Sequence, residues 1–253
     1  MVRLKNAAEI EKMIKAGRVV AHVLQAIEKS VRPGVSTWEL DAIAGNLIRE
    51  EGAVPSFLNY GNPPFPASIC TSVNDEVVHG IPSKTRLLHE GDIVSIDVGA
   101  VLNGFHADAA RTYAVGEISE EAKKLIRVTE ECFWKGLEQA QPGKRIGDVS
   151  SAIQHHAEKN GYGVVRQLVG HGIGEHLHED PDVPNFGRSG HGLRILPGLV
   201  IAVEPMINQG TCDVRIREDH WTISTADGLN SAHYENTFAV TENGNVITTI
   251  IDE

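Results

Sequence analysis

The chain contains 253 residues, of which 34 are acidic and 23 are basic, so its formal net charge is -11. This excess of acids, without any basic block, disfavours nucleic acid binding as the main task of the protein. No apolar run approaches the roughly 18 residues that a membrane span needs, and the charged amino-terminal segment is unlike a secretion signal. We therefore expect a cytoplasmic protein that binds neither a membrane nor a specific nucleic acid.

The cysteines are few and widely separated, at Cys70, Cys132 and Cys212. An odd number of cysteines without a CxxC pair indicates neither a disulfide framework nor a zinc knuckle. The length suits one large domain or two small ones, and we expect a single domain over residues 1–253 with an α+β fold.

Two capping-box patterns mark the starts of the first predicted helices. Asn6 with Glu9 precedes one apolar stripe of helical period, and Ser36 with Glu39 precedes another. Pro, Gly and Asn then dominate a segment that we interpret as a loop. The remaining predicted elements are, in chain order, this loop from Pro55 to Pro66, strands near Ser68 to Thr71 and Val77 to His79, a hairpin ending at Val115, a helix from its cap Ser119 to about Ala140, a helix from its cap Asp148 to about Asn160, and strands from Val164 onward.

The hairpin "IDVGAVLNGFHADAART" carries two aspartates in an otherwise apolar stretch. An Asn-Gly pair between two strand-like runs predicts a two-residue turn, which pairs Asp97 with Ala110 across the hairpin. Asp108 then lies on the same face as Asp97, with the two backbones about 7 to 8 Å apart. Strand parity alone also admits His106 to this face. Two bare carboxylates so close together must share a proton, pair with cations or hold a metal.

A weak internal repeat adds two more carboxylates to this surface. The segment "GDIVSID" resembles "GLVIAVE", which matches Asp97 to Glu204, and "RTYAV" resembles "NTFAV", which matches Ala110 to Glu235. We expect two related halves, roughly residues 1–116 and 117–253, that each lend two carboxylates to one shared face. A simpler alternative is that each aspartate caps a strand or pairs with a nearby base such as Arg111.

One histidine in a glycine-rich segment, His171 of "GHGIGEHLHEDP", is a natural fifth ligand for such a cluster. Mixed carboxylate and imidazole ligands suit Mn, Fe, Co or Zn, and the lack of thiolate argues against a structural zinc site. Carboxylates can bridge two ions about 3.5 to 4 Å apart, which together act as Lewis acids and supply a nucleophile. The sequence therefore predicts a site for two divalent metal ions.

Several long motifs, in order along the chain, resemble those of type I methionine aminopeptidases. They are "SICTSVNDEVVHGIPS", "IDVGAVLNGFHADAART", "GHGIGEHLHEDP", "VIAVEPMI" and "WTISTADGLNSAHYENTFAV", and the resemblance covers nearly the whole chain. It implies the duplicated pita-bread fold in a single catalytic domain, with pseudo-two-fold related halves around a dinuclear metal site. The lack of an amino-terminal extension resembles the short bacterial form. By this resemblance the metal ligands are Asp97, Asp108, His171, Glu204 and Glu235, with Asp108 and Glu235 bridging the ions.

The same resemblance implies the remaining roles. His79 contacts the substrate near its first amide, His178 stabilises the oxyanion, and Glu204 carries a proton to the leaving amine. The implied activity is the removal of the initiator methionine from nascent chains when the second residue is small. The ribosome is the implied setting. Leu177 and Asn62 depart from the usual aromatic residues of the family. The positions that match the methionine pocket are Asn59, Asn62, Phe65, Cys70, Leu177 and Trp221.

Two other readings of the sequence compete with this one. Proline-directed aminopeptidases and prolidases share the fold and the ligands but usually carry a further amino-terminal domain, for which this chain length leaves no room. A catalytically inactive pita-bread protein that serves as a binding module typically loses ligands, whereas this chain keeps all five and both histidines. We expect an enzyme that works as a monomer.

Overall fold

The computed structural model describes residues 2–250 and has the expected α+β composition. Asn6 and Ser36 cap the first two helices, each through a reciprocal capping box with the predicted glutamate. Ser119 caps the third helix, as predicted. The four helices are α1 (Ala7–Ser30), α2 (Thr37–Glu50), α3 (Glu120–Leu137) and α4 (Ile146–Lys159).

The fourth helix begins earlier than the sequence reading placed it. Its N-cap is Arg145, and Asp148 lies at the third helical position, where its carboxylate accepts a hydrogen bond from the Arg145 N–H at 2.8 Å. Asp148 thus occupies the same helical position as Glu39 in α2. In a capping box this is the residue that accepts from the N-cap N–H, not the N-cap itself. The prediction of Asp148 as the cap was therefore wrong by three positions.

Strands in the first part of the chain form a sheet around the predicted hairpin. The central strand pairs with the strand after the Asn103-Gly104 turn over ten residue pairs, from Leu102 with Phe105 to Ile93 with Ala114. This register is the one that the turn predicted. The strands are β1 (Val54–Pro55), β2 (Cys70–Val73), β3 (Glu76–Val78), β4 (Ile93–Leu102) and β5 (Phe105–Ala114), with β1, β2 and β5 all pairing with β4.

The second part of the chain supplies the remaining strands. β8, β7, β9, β14 and β15 form a five-stranded sheet, β6, β10 and β13 form a second sheet, and β11 and β12 extend β3. These strands are β6 (Gly163–Val164), β7 (Gly170–Gly172), β8 (Glu179–Val183), β9 (Val200–Val203), β10 (Met206–Asn208), β11 (Val214–Ile216), β12 (Ile223–Thr225), β13 (Ser231–His233), β14 (Asn236–Thr241) and β15 (Gly244–Ile247).

The repeat that was read from the sequence also appears in the backbone. Gly34 and Gly143 occupy equivalent turns between paired helices, with φ angles of 87° and 90°. Gly91 and Gly198, which precede the matched strands β4 and β9, have φ angles of 91° and 90°. These left-handed conformations favour glycine, so the glycines in the two halves are matched because the same turns recur.

Each helix pair packs on its own apolar core. The core under α1 and α2 includes Val20, Leu40 and Ile96, and the core under α3 and α4 includes Phe133 and Phe238, all of them fully buried. A third, smaller cluster lies between the two cores and contains Phe57, Phe65, Cys70 and Leu177 among its members. Among residues 2–250, no helix is long and apolar enough to cross a membrane.

Candidate active site

The β4–β5 hairpin brings two carboxylates to one face. Asp97 pairs with Ala110 and Asp108 pairs with Gly99, so the two aspartates are diagonal neighbours as predicted. Only 4% of Asp108 is exposed. One oxygen of each, Oδ1, is enclosed and has no hydrogen-bond partner among the residues that the structure describes. Buried acceptors of this kind need either a proton or a cation.

The carboxylate of Glu235 reaches the same face from the other half of the molecule. Glu235 and Ala110 exchange backbone hydrogen bonds of 3.0 and 3.3 Å, so the residues that the repeat matched lie directly beside each other. Two residues further along the chain, Thr237 Oγ1 donates to the carbonyl of Asp108 at 2.8 Å. Glu235 is 2% exposed, and its Oε1 has no hydrogen-bond partner within residues 2–250.

His171 and Glu204 complete the group from the five-stranded sheet. His171 lies on β7 beside Ala202 of β9, and Glu204 follows β9 directly. His171 Nε2 lies 3.7 Å from Glu204 Oε1 and 4.0 Å from Asp108 Oδ2. Its Nδ1 donates to the carbonyl of Gly172 at 2.9 Å, which leaves the Nε2 lone pair facing the carboxylates. Burial lowers the pKa of His171 to about 3, so the ring is neutral.

The carboxylates strongly perturb one another. Burial raises the pKa of Asp97 to about 7. Burial first, and then the neighbouring carboxylates, also raises the pKa values of Asp108, Glu204 and Glu235 well above their ordinary range. Without cations the group therefore holds protons, because several anions cannot remain ionised in so small a buried volume.

The nearest base does not neutralise the cluster. The guanidinium of Arg111 donates to the main-chain carbonyls of Ala110 and Glu235 at 2.8 and 2.6 Å, and to Asn236 Oδ1 at 2.8 Å. It holds the backbone of Glu235 rather than its carboxylate. Pairing with Arg111, the simpler explanation of the buried aspartates, is therefore wrong.

The ligand atoms are spaced for metal binding. Asp108, His171 and Glu235 offer one set of atoms that lie within 4.8 Å of one another, and Asp97, His233 and Glu235 offer another. Their carboxylate oxygens without hydrogen-bond partners, together with the unprotonated Nε2 of His171, are suitable ligands for a divalent cation. His106 is not part of either set, because its Nδ1 contacts Ser56 Oγ at 2.9 Å instead.

The cluster forms one end of a cavity whose other end is largely apolar. Phe65 packs edge-on against Trp221, with ring centroids 5.2 Å apart, and Trp221 packs in turn against His79 at 6.0 Å. A cavity that joins a polar cluster to an apolar recess is the usual form of a small-ligand site. The lining residues are Phe57, Tyr60, Phe65, Cys70, His79, Asp97, Asp108, His171, Leu177, His178, Glu204, Trp221 and Glu235.

The two further histidines of the sequence prediction both line this cavity. His79 follows β3 in a left-handed conformation, with φ 59°, and burial with the nearby His178 lowers its pKa to about 4. The rings of His178 and His171 pack edge to face with centroids 4.2 Å apart, and His178 Nδ1 lies 2.5 Å from the hydroxyl of Tyr60. Burial also lowers the pKa of His178 below its ordinary value, so the neutral form of both imidazoles is favoured.

The structure does not bring Asn59 or Asn62 to the cavity. Both side chains are exposed on the Pro-rich loop. The Asn59 N–H donates to the carbonyl of Phe65 at 2.8 Å, and the neighbouring Tyr60 lines the cavity although it is 40% exposed. Phe57 and Tyr60, which the sequence reading missed, take their place. Their aromatic character was the signal, since a recess for an apolar side chain is lined by aromatic residues.

Comparisons with known proteins agree with this geometry. The sequence profile of Metallopeptidase family M24 matches residues 11–242. The methionine aminopeptidase of Clostridium acetobutylicum is 54% identical over 252 residues, a match that covers 100% of each chain to the nearest per cent.

Solved structures give the same picture. The methionine aminopeptidase of Thermotoga maritima is 45% identical with a TM-score of 0.97, over 99% of this chain and all of that one. The prolidase of Pyrococcus furiosus, at 24% identity, shares the fold with a TM-score of 0.78, and the match spans 99% of this chain but only 66% of the prolidase. The predicted pita-bread fold is confirmed by these structures. Since the profile and the relatives both match nearly end to end, the chain belongs to metallopeptidase family M24.

Proposed function

We propose that this chain hydrolyses the peptide bond after an amino-terminal methionine when the second residue is small. The observation that carries the proposal is the cavity, in which an apolar recess ends at a cluster of carboxylates and imidazoles. An unbranched thioether side chain suits a recess that is lined by aromatic rings, Cys70 and Leu177. Full-length similarity to methionine aminopeptidases supports the same substrate.

Two divalent cations are the proposed cofactors. Asp97, Asp108, His171, Glu204 and Glu235 hold them, and Mn, Fe, Co and Zn all suit these ligand types. Cys70 lines the same cavity, and burial and then the nearby Asp97 raise the pKa of its thiol well above the ordinary value. When bound, such cations act as Lewis acids on the peptide carbonyl and lower the pKa of water to near neutrality.

The chain's own side chains carry the remaining steps. Neutral imidazoles at His79 and His178 donate hydrogen bonds to the scissile amide and to the oxygen on which negative charge develops. Glu204 takes the proton from the attacking water and delivers it to the leaving amine, a task that suits a carboxylate of raised pKa. The Tyr60 hydroxyl fixes the ring of His178 through its Nδ1.

The proposal extends to the second residue of the substrate and to the cellular setting. The ring of His178 lies close to that of His171, which leaves little room beyond the scissile bond and favours a small second residue. Nascent chains at the ribosome in the cytoplasm are the proposed source of such ends. A monomer suffices for this activity, because every proposed ligand comes from one chain.

The decisive experiment offers three peptides to metal-stripped protein with and without added Mn or Co. We expect metal-dependent cleavage of Met-Ala-Ser and little cleavage of Met-Leu-Ser or Ala-Pro-Ala. Preferential cleavage of Ala-Pro-Ala would instead show a proline-directed peptidase. Full activity in excess chelator would disprove the metal mechanism.

Variants test the individual roles. Asp108→Ala and Glu235→Ala should abolish turnover, because the ligands act as a unit. His178→Ala should lower kcat by on the order of 100-fold, as the loss of an oxyanion donor does elsewhere, while the metal content stays normal. His176→Ala is the matched control, since His176 is exposed two positions away and does not line the cavity. Loss of metal in His178→Ala would make His178 a ligand instead.

A further inference from the structure

His233 is a buried imidazole beside the cluster that the proposed mechanism leaves without a role. It ends β13, two positions before Glu235, and only 2% of it is exposed. Its main chain is fixed by Thr112, whose Oγ1 accepts from the His233 N–H and donates to the His233 carbonyl, both at 2.9 Å. Its Nε2 is enclosed and has no hydrogen-bond partner among residues 2–250. A buried polar atom without a partner calls for a physical explanation.

The position of this nitrogen suits a shared cation better than a hydrogen bond. His233 Nε2 lies 3.6 Å from Glu235 Oε2, and Asp97, His233 and Glu235 each offer one ligand atom within 4.8 Å of the others. A distance of 3.6 Å between nitrogen and oxygen is too long for a hydrogen bond. By contrast, two ligand atoms each about 2.1 Å from one ion and about 120° apart lie about 3.6 Å from each other.

Other histidines in the molecule show what a direct contact with a carboxylate looks like. His156 Nε2 lies 2.8 Å from Glu131, and His22 Nδ1 lies 2.9 Å from Glu51. Both are ordinary hydrogen-bond distances. His233 is more buried than either of these, so its need for a partner is greater, yet it stands farther from its carboxylate.

The charges around His233 also fit ligation. Its acidic neighbours, Asp97 and Glu235, supply the negative charge of the same ligand set.

We propose that His233 is a sixth protein ligand, which joins Asp97 and Glu235 in binding the cation farther from His171. The inference rests on the metal site of the proposed function and adds an imidazole to the ion that would otherwise have carboxylates alone. Each ion then has one histidine. Because imidazole suits Fe, Co and Zn while Mn favours oxygen ligands, His233 shifts the preference of this ion away from Mn.

Paramagnetic NMR of the cobalt-loaded holoenzyme tests the ligation directly. A histidine that binds Co through Nε2 gives a strongly shifted, exchangeable signal from its Nδ1 proton. We expect two such signals, from His171 and His233, in the native protein and one in His233→Gln. His106→Gln is the matched control and should keep both, because His106 shares the hairpin face of Asp108 but contacts Ser56.

Metal titration gives a second readout that does not depend on activity. His233→Gln should weaken binding of the second cobalt equivalent by about 10- to 100-fold or more, the range that is typical when support for a metal site is lost. Binding of the second manganese equivalent should weaken less, and binding of the first equivalent should not change. Equal losses for cobalt and manganese, or no loss for either, would overturn the proposal.

The outcomes separate this inference from the proposed function. A native protein that binds two cobalt ions and cleaves Met-Ala-Ser but shows a single shifted imidazole signal refutes the role of His233 and keeps the function. A native protein that binds no cobalt refutes both. If His233→Gln fails to fold, the number of signals in the native protein still decides the matter.

Discussion

Replacing Asp97 by asparagine should stabilise the metal-free protein, and the gain should grow with pH. The pKa of Asp97 is raised from its ordinary 3.8 to about 7 by burial, so the folded state holds a proton that the unfolded state has already released. In that window the unfolded state binds fewer protons, and stability falls as pH rises until the folded pKa is reached. Asparagine is neutral throughout and avoids this loss.

The size of the effect follows from the shift. Between about pH 5 and about pH 7 the loss spans about two pKa units, or about 3 kcal/mol at 1.36 kcal/mol per unit. For a chain of this length that corresponds to a difference of about 6 to 12 °C in Tm. The charge of Asp97 also raises the pKa values of Asp108, Glu204 and Glu235, so its removal adds to the gain in the same direction.

Thermal unfolding of both proteins in excess chelator, at about pH 5 and about pH 8, measures this difference in Tm. Added Co or Mn should reverse the ranking, because the native protein gains a ligand that Asp97→Asn has weakened. A metal-free Asp97→Asn variant that is less stable than the native protein at about pH 8, or equally stabilised at both pH values, would refute the reasoning.

Two further variants test one contact inside the site and one buried contact outside it. Tyr60→Phe removes the 2.5 Å contact between the Tyr60 hydroxyl and His178 Nδ1. Because one hydrogen bond is lost, kcat should fall about 5- to 10-fold and its pH dependence should change. Unchanged kinetics would show that this contact does not position His178. Asp41→Ala leaves the buried N–H groups of Ser68 and Ile69 without their acceptor and should cost about 2 to 6 kcal/mol in urea unfolding, whereas Asp41→Asn keeps an oxygen there and should cost clearly less.

The parts of the site that were predictable from the sequence lie on regular strands. The Asn103-Gly104 turn has few alternatives, so it fixed the pairing of Asp97 with Ala110 and hence the face of Asp108. The repeat matched Glu235 to Ala110 and so predicted its face, and in the structure these two residues also hydrogen-bond to each other. Local turn chemistry and a side-chain period of two carry this information without any knowledge of the tertiary structure.

The recess was not predictable in the same way, because it is built from a loop without a period. Phe57, Tyr60 and Phe65 are positioned by hydrogen bonds within that loop, such as those from the Tyr60 N–H to the Phe57 carbonyl at 2.9 Å and from the Phe65 N–H to the Tyr60 carbonyl at 2.8 Å. Matching positions by motif also selected the exposed Asn59 and Asn62, whereas the other selected positions do line the cavity, namely Phe65, Cys70, Leu177 and Trp221. The earlier start of α4, by contrast, was within reach. The Pro-Gly pairs at residues 33–34 and 142–143 align the turns before α2 and α4, and this alignment places Arg145 opposite Ser36 and Asp148 opposite Glu39.

The position of the cluster predicts that folding and metal binding are coupled in this molecule. Asp108 and Glu235 come from different halves, and the bonds between Ala110 and Glu235, together with the reach of Arg111 to Asn236, tie those halves at the point where the carboxylates meet. Strand backbones set the spacing, so the carboxylates cannot move apart to relieve their repulsion. Each must therefore hold a proton or share a cation, and any ion that satisfies this need also stabilises the junction of the two halves.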